Sequence, residues 1–536
     1  MGKPVILFTL TAVTIIAVWW WLGRAIVMPP SPLDFTEKLY CVSYAPFHGS
    51  QSPLDPTTQI EPWQIDEDLA QLSKITDCVR TYSVDFGLDR VPEAARKHGL
   101  KLLLGLWQSS RSDRNRYQIA TGVALAKQFP DVIRAVIVGN EALLRGEISA
   151  TELADTIRTV KAQVPEPVSY ADVWEIWLRH RELASAVDFV TIHILPYWED
   201  LPIPADQAAD HIASIRRRAA AAFPGKEIVI GETGWPSAGR MREAALPSLA
   251  NQARVIQDIL TRGKRENFRV NLIEAFDQPW KRYLEGTVGG HWGLLDDATR
   301  TFKFAWGAPV SNHSLWRWQA AGGIVFAALI FGAALLARRR VIVVTEPAFG
   351  LWYALSVDAL VAGVLIGWAL ENAPVESLGV GGWLRSLALV AVAIAAPIVG
   401  AMGLAQNMAS PSFASVLASA EDRVCHPLAL ALGVILLALC VLAVQATLGL
   451  VFDPRYRDFP FAPLSAATMP FLLLSMQMQR SVGAPGVAEL MLAGVLTLSS
   501  IYIAINETLA NWQALWFCVT LIALAVTLVR ARDARD

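Results

Sequence analysis

No HExxH pair and no converging set of His and Cys occurs in this sequence, which argues against a metal centre built on either. No Gly-rich phosphate loop opens any of the helical segments, so a nucleotide-binding open sheet lacks its anchor. The stretch GETGWP has no serine elbow, and no Ser/His/Asp arrangement at the strand ends improves on the glutamates discussed below. Five cysteines are too few for a disulfide framework. Neither sign of charge dominates: 46 Lys and Arg stand against 48 Asp and Glu, and a net charge of -2 is uninformative about partners. No cofactor and no nucleic-acid partner is expected.

Apolar residues are abundant instead: 54% of the 536 residues are hydrophobic, and the mean hydropathy is +0.37, too greasy for an ordinary soluble chain. The stretch PVILFTLTAVTIIAVWWWL after Lys3 is long enough to cross a hydrocarbon core of ~30 Å. Trp19, Trp20 and Trp21 stand where a cleavage site would need small residues, so a retained signal anchor over residues 1–30 is expected. Apolar segments return near 319–337, 350–370, 384–404, 427–451, 463–478, 487–505 and 513–529, predicting a C-terminal all-α transmembrane domain over 313–536, with 463–478 the shortest span.

Basic residues cluster in alternate short loops: Arg338, Arg339 and Arg340, then Arg423, then Arg480, then Arg530 and Arg532. FDPRYRDFPF weakens the pattern with two Arg of its own. By the positive-inside rule both termini are cytoplasmic and residues 31–312 lie outside the cytoplasmic membrane. Cys440 and Cys518 fall in predicted spans and Cys425 in a cytoplasmic loop, leaving Cys41 and Cys78 for an oxidising compartment. If Tyr44 and Arg80 both point inward, strand alternation turns Cys78 inward and Cys41 outward, which argues against a bridge. Asp358, inside a predicted span, is read as structural, either paired or neutral.

Between residues 31 and 312, eight short apolar runs alternate with amphipathic stretches: KLYCVSYAP, DCVRTYS, LKLLLGLW, VIRAVIVGNE, PVSYADVW, VDFVTIHILPY, KEIVIGETGW and FRVNLIEAFDQPW. Strand then helix, repeated over a length near ~250 residues, predicts an α/β fold of the (β/α)8 TIM-barrel class, with chemistry at the C-terminal strand ends. Those ends are rich in polar and aromatic residues: Tyr44, Arg80, Trp107, Gln108, Asn140, Glu141, Asp172, Trp174, Tyr197, Glu232, Trp235, Glu274, Asp277 and Trp280. Any one could cap a helix or pack the rim; the enrichment on nearly every strand points to a site.

Glu141 closes the fourth predicted strand and Glu232 the seventh, so the two face each other across an eight-stranded barrel. Paired carboxyls can cleave or transfer a glycosidic bond, with their separation deciding the stereochemistry. Rim tryptophans suit the apolar faces of pyranose rings. Alternatively, either glutamate could pair with Arg80 or cap a helix.

VGNEAL, GETGWPSAG, VRTYS, LLLGLW, YADVW and EAFDQPWK together resemble glycoside hydrolase family 17, the β-1,3-glucanases and β-1,3-glucanosyltransferases, over essentially the whole extramembrane region. The resemblance implies a retaining mechanism with Glu141 as acid/base and Glu232 as nucleophile. It further implies Asn140 on the sugar 2-hydroxyl, Arg80 and Tyr197 positioning the nucleophile, and Trp235 lining the donor site. The many spans are unlike the secreted glucanases and similar to a bacterial membrane-bound branch connected with β-(1,6)-glucan synthesis. A multi-pass protein of the bacterial inner membrane with a periplasmic barrel follows as the expectation, with β-glucan as substrate, the bilayer as a partner and a membrane glucan synthase as a further candidate. Trp174, Trp198 and Trp280 would tilt acceptor choice. An endo-β-1,3-glucanase and a non-catalytic glucan-binding or export partner are the alternatives.

Overall fold

The computed structural model describes residues 2–339, 350–417, 426–477 and 486–531. Arg340, Arg423, Cys425, Arg480 and Arg532, used above for orientation and cysteine placement, lie outside the described residues. The chain divides into two compact units, one comprising Met1–Ala25, Gly239–Glu243 and Ser311–Asp536, the other Ile26–Ala238 and Ala244–Val310.

The second unit is a closed parallel barrel of eight strands in sequence order. The strands are β1 (Cys41–Ser43), β2 (Cys78–Arg80), β3 (Lys101–Leu106), β4 (Ile133–Asn140), β5 (Val168–Val173), β6 (Val190–His193), β7 (Ile228–Thr233) and β8 (Val270–Leu272). Each lies within one of the eight apolar runs. The crossovers include helices Pro62–Leu72, Ser112–Gln128, Ala150–Lys161, Ala208–Ala222 and Leu249–Glu266. Ser149 and Ser248 cap two of these by accepting from backbone N–H groups three residues on, which satisfies donors a helix start would otherwise leave bare. Helix apolar faces bury Leu69, Ile157 and Ile256 against Val42, Val136 and Ile230 of the strands, at about 25 cal/mol per Å² of apolar surface removed from water.

Both glutamate-bearing strands carry an extra residue just before the glutamate. Ile137 of β4 pairs with Ser169 and Asn140 with Ala171, three residues against two; Ile230 of β7 pairs with Ile192 and Glu232 with His193, two against one. Such bulges re-aim the side chains that follow them. In β4 the bulge uses Gly139 at φ 89°, where an added Cβ would also approach the Tyr170 ring to 3.2 Å.

The expectation against a Cys41–Cys78 bridge is overturned: the two form a disulfide with Cα atoms 4.3 Å apart. Its premise placed Tyr44 inside the barrel. Register pairs Ser43, not Tyr44, with Arg80, and the Tyr44 hydroxyl donates to Asp68 Oδ2 at 3.0 Å, on helix Pro62–Leu72. Cys41 therefore shares the inward face with Ser43, beside Cys78, and both join Leu103, Ala135, Ile137 and Ala171 in a separate buried cluster. The bridge closes a sequence separation of 37, worth roughly 4 kcal/mol if the unfolded-chain entropy model applies. A Cys41→Ser, Cys78→Ser double variant is expected to unfold at a temperature several degrees lower, read by circular dichroism; an unchanged melting temperature would count against a stabilising bridge.

The first unit is helical. Among the described residues, seven helices are long and apolar enough to cross a membrane: Lys3–Gly23, Trp316–Arg338, Leu351–Glu376, Gly379–Ala405, Pro427–Phe452, Val487–Glu507 and Trp512–Arg530. The segment near 463–478 is the shorter apolar helix Phe461–Gln477, of 17 residues. Two helices approach closely at Gly323 and Gly363, where a Cβ on Gly323 would lie 2.3 Å from Gly363 O, the small-residue packing usual where helices meet without water. Asp358 is fully buried, and among the described residues neither carboxylate oxygen has a hydrogen-bond partner, so no pairing is found for it. Within this unit Arg240 is 2% exposed, bonded to the Glu507 carboxylate and to Pro454 O, with its guanidinium 4.6 Å from the Phe459 ring centroid.

Candidate active site

Arg80, near the centre of the barrel mouth, organises the polar groups at the strand ends. It is 1% exposed. Its Nη1 donates to Gly231 O at 2.8 Å and Glu232 Oε1 at 3.0 Å, and its Nη2 to Asn140 Oδ1 at 2.6 Å. One buried cation thus ties β2 to the ends of β4 and β7. The carbonyl of the bulge residue Gly231 also accepts from Asn271 Nδ2 at 2.7 Å, which holds the turn into Glu232 from a second side. A buried guanidinium needs its charge paired, and Glu232, itself 5% exposed, supplies that charge.

Glu141 follows directly on β4 with φ 52°, a left-handed conformation that costs a non-glycine residue of order 1–3 kcal/mol and is concentrated at functional positions. Its N–H donates to Ala171 O at 2.8 Å, and its side chain is 25% exposed, more open than Glu232. Between the two glutamates stands His193, at the end of β6 and 1% exposed. Its Nδ1 lies 2.8 Å from Glu141 Oε1 and its Nε2 3.5 Å from Glu232 Oε1. Burial pushes the Glu141 carboxyl up, but the hydrogen bond from His193, with the charges of Arg145 and Arg80, outweighs it and holds Glu141 below its ordinary value.

Around this centre the other expected residues fall into two groups. Brought in or near it are Asn140 through Arg80, and Trp107, Gln108 and Asp172 through Arg145 and Glu141. Arg145 lies 4.2 Å from the Trp107 ring centroid and donates to Gln108 O at 3.0 Å. Asp172 is bonded to the Tyr170 hydroxyl and to Val173 N at 2.8 Å; burial, with the Glu141 charge adding to it, pushes its carboxyl up to about 6. Glu274, 1% exposed, has both oxygens 2.8 Å from Lys281 Nζ.

In the second group Tyr44, Trp235, Asp277, Trp174 and Trp280 direct polar atoms to other partners, and Tyr197 is packed among aromatic rings. Tyr44 turns outward to Asp68, which removes it from the strand-end site. Trp235 is fully buried, its indole N–H donating to Leu246 O at 3.1 Å, so no face is open for a donor-site sugar to stack on. Tyr197 is fully buried, in edge contact with Trp235 and Trp292. Asp277 accepts from Lys303 Nζ at 2.7 Å and Gly293 N at 2.8 Å. Trp174 donates to Glu199 Oε1 at 3.2 Å, and Trp280 to Gln278 Oε1 at 2.8 Å; both keep part of their surface open.

Sequence reasoning missed His193, Arg145 and Lys281. The signal available for His193 was its place at the end of the sixth apolar run. Glu141, His193 and Glu232 each offer one donor atom, all within 4.8 Å of one another. The Arg80 guanidinium, 3.0 Å from Glu232, opposes a cation there by like-charge repulsion.

A parallel barrel with two glutamates at the C-terminal ends of its fourth and seventh strands, one paired and buried and one more open, is the arrangement of a glycosidase-type domain. Residues 41–293 match the model of the BtgE/BtgC glycoside hydrolase domain. Over 226 residues the chain is 30% identical to a probable beta-glucosidase btgE of Aspergillus fumigatus, covering 41% of this chain and 39% of that protein. It is 25% identical over 250 residues to a glucan 1,3-beta-glucosidase of Saccharomyces cerevisiae, covering 42% of this chain and 80% of that one. Among solved structures, a family 17 beta-1,3-glucanosyltransferase from Rhizomucor miehei is 27% identical, covering 50% of this chain and 96% of that chain at a TM-score of 0.44. The chain thus spans about two fifths of the length of the btgE relatives.

Proposed function

We propose that the protein is a membrane-anchored, retaining β-glucan transglycosylase that takes a β-1,3-glucan donor and passes the cleaved end to a sugar hydroxyl, with β-1,6 linkage among the products. The observation that carries the retaining chemistry is the closeness of the two carboxyls: an oxygen of Glu141 and one of Glu232 lie within 4.8 Å, close to the ~5–5.5 Å separation of carboxyl groups in double displacement and short of the ~6.5–9.5 Å that inversion needs for a water. The relatives' names, beta-glucosidase and glucan 1,3-beta-glucosidase, support β-glucan as the substrate class.

In the first step Glu232, held by Arg80, attacks the anomeric carbon while Glu141, in its protonated form, gives its proton to the departing glycosidic oxygen. In the second, Glu141 takes the proton of an incoming hydroxyl, which displaces Glu232 and restores the β configuration. Water and sugar compete for that step, and Trp174 and Trp280 offer partly open indole faces to a sugar acceptor. Asn140, which has its Oδ1 on Arg80, retains its amide N–H groups for a substrate hydroxyl.

An inner-membrane location with a periplasmic barrel is part of the same proposal. The apolar helices, the basic loops and a disulfide in the barrel, which persists in oxidising compartments, support it. An anchor would keep the barrel beside a glucan emerging from a membrane synthase, raising effective concentration. The test is to incubate the full chain, in detergent micelles, with β-1,3-gluco-oligosaccharides and to determine product masses and linkages. Products longer than the substrate are expected, with new β-1,6 bonds. Shorter products alone would replace transfer by endo- or exo-hydrolysis, and complete inertness on all β-glucans would overturn an enzymatic role.

A further inference from the structure

The reaction as written gives His193 no task, although its ring is fully buried between the two glutamates. Its hydrogen bonding has a direction that one neighbour settles. Arg80 carries donors and no acceptor, and its Nη1 lies 3.4 Å from His193 Nε2. A proton on Nε2 would point at those donors, so Nε2 is the accepting nitrogen and the ring proton sits on Nδ1. Nδ1–H then donates to Glu141 Oε1 at 2.8 Å. A continuous chain results, Glu232 to Arg80 to His193 to Glu141, with each link a hydrogen bond whose donor is fixed by the one before.

We propose that His193 is a positioning residue: by occupying Oε1 of Glu141 it reserves Oε2 for proton transfer and stabilises the carboxylate left when the leaving group departs. The inference rests on the acid/base role proposed for Glu141. Proton balance is simple, since the mobile proton moves between Glu141 Oε2 and the glycosidic or acceptor oxygen while the Nδ1 proton stays on His193 throughout. An N–H donor to a carboxylate favours the ionised form, which matches the lowered position of Glu141. Among the described residues the charged and titratable groups facing Glu141 are Arg80, Arg145, Asp172, His193, Glu232 and Glu285, and His193 donates to it from a buried ring.

The test compares wild type, His193→Ala and His193→Asn as full chains. kcat/KM is followed against pH on a β-1,3-gluco-oligosaccharide, whose leaving group needs a proton, and on an aryl β-glucoside with a phenolate leaving group, which does not. In His193→Ala the alkaline limb is expected to move to higher pH, because Glu141 loses a bond that favours its ionised form. Activity on the oligosaccharide is expected to fall about 10- to 100-fold, with the aryl glucoside within a few-fold of wild type. His193→Asn, whose amide can donate from nearly the same place, is expected to return the limb and the rate toward wild type. An unmoved limb in His193→Ala, an Asn variant that behaves like Ala, or equal losses on both substrates would overturn the proposal. Labelling of the wild type with a 2-deoxy-2-fluoro-β-glucosyl fluoride separates the two readings. No label at Glu232 in active wild type sinks the covalent reaction, whereas a labelled wild type with an unmoved His193→Ala limb sinks only the role of His193.

Discussion

Glu232→Gln is expected to lower turnover of β-1,3-gluco-oligosaccharides by roughly 10^4-fold or more, the scale on which losing a covalent nucleophile acts, while leaving the fold intact. Gln is chosen because Arg80 is 1% exposed and its bond to Oε1 of residue 232 at 3.0 Å can be kept by an amide oxygen. Ala would leave that buried guanidinium short of an acceptor, so a lost activity could then be a lost fold. The check is initial rate by product chromatography together with thermal unfolding of the same preparation. Wild-type rates in Glu232→Gln would remove the nucleophile assignment.

A different signature is expected from Glu141→Ala. With an oligosaccharide donor the rate falls about 10²- to 10⁴-fold, the usual contribution of a general acid/base. With an aryl glucoside bearing a phenolate leaving group, the first step proceeds without acid help and the second is starved of its base. The glucosyl-enzyme on Glu232 then accumulates, visible as a burst of phenolate and as a mass increase of one glucosyl residue on the intact chain. Glu141 is 25% exposed at its side chain and held by His193 on one oxygen, so its loss disturbs packing less than loss of Glu232. A variant equally slow on both substrates, with no burst, would exclude Glu141 as the acid/base.

The barrel was legible because each strand is an apolar run stopped by a polar or aromatic residue: IVG before Asn140 and IVIG before Glu232 mark β4 and β7. Strand parity was not legible. Alternation counted from an inward Tyr44 separates Cys41 from Cys78, yet Ser43 is the residue in register with Arg80, and that single step hid the Cys41–Cys78 bridge. The extra residues in β4 and β7 break alternation just where the glutamates stand, and no composition signal marks them beyond a glycine in each. Trp235 shows the other limit: a tryptophan at a strand end reads as a sugar platform, whereas depth in the wall depends on what packs over it. His193 escaped because a lone histidine in an apolar run carries no partner in sequence; its partners sit on β2, β4 and β7 and are assembled only by closure of the barrel.

The short segment Gly239–Glu243, which lies in the chain between β7 and helix Leu249–Glu266 yet belongs to the helical unit, has a practical consequence for dissection. The polypeptide passes between units there and back again, so no pair of cuts at the ends of the barrel yields one unit free of the other. A recombinant fragment spanning Ile26–Val310 would carry Arg240 without the Glu507 carboxylate that pairs with it, and Met241 without its bonds to Gln513 and Asn511. Low activity in such a fragment would say little about the enzyme, and proteolysis aimed at releasing the barrel from the helical unit would have to cleave this loop as well.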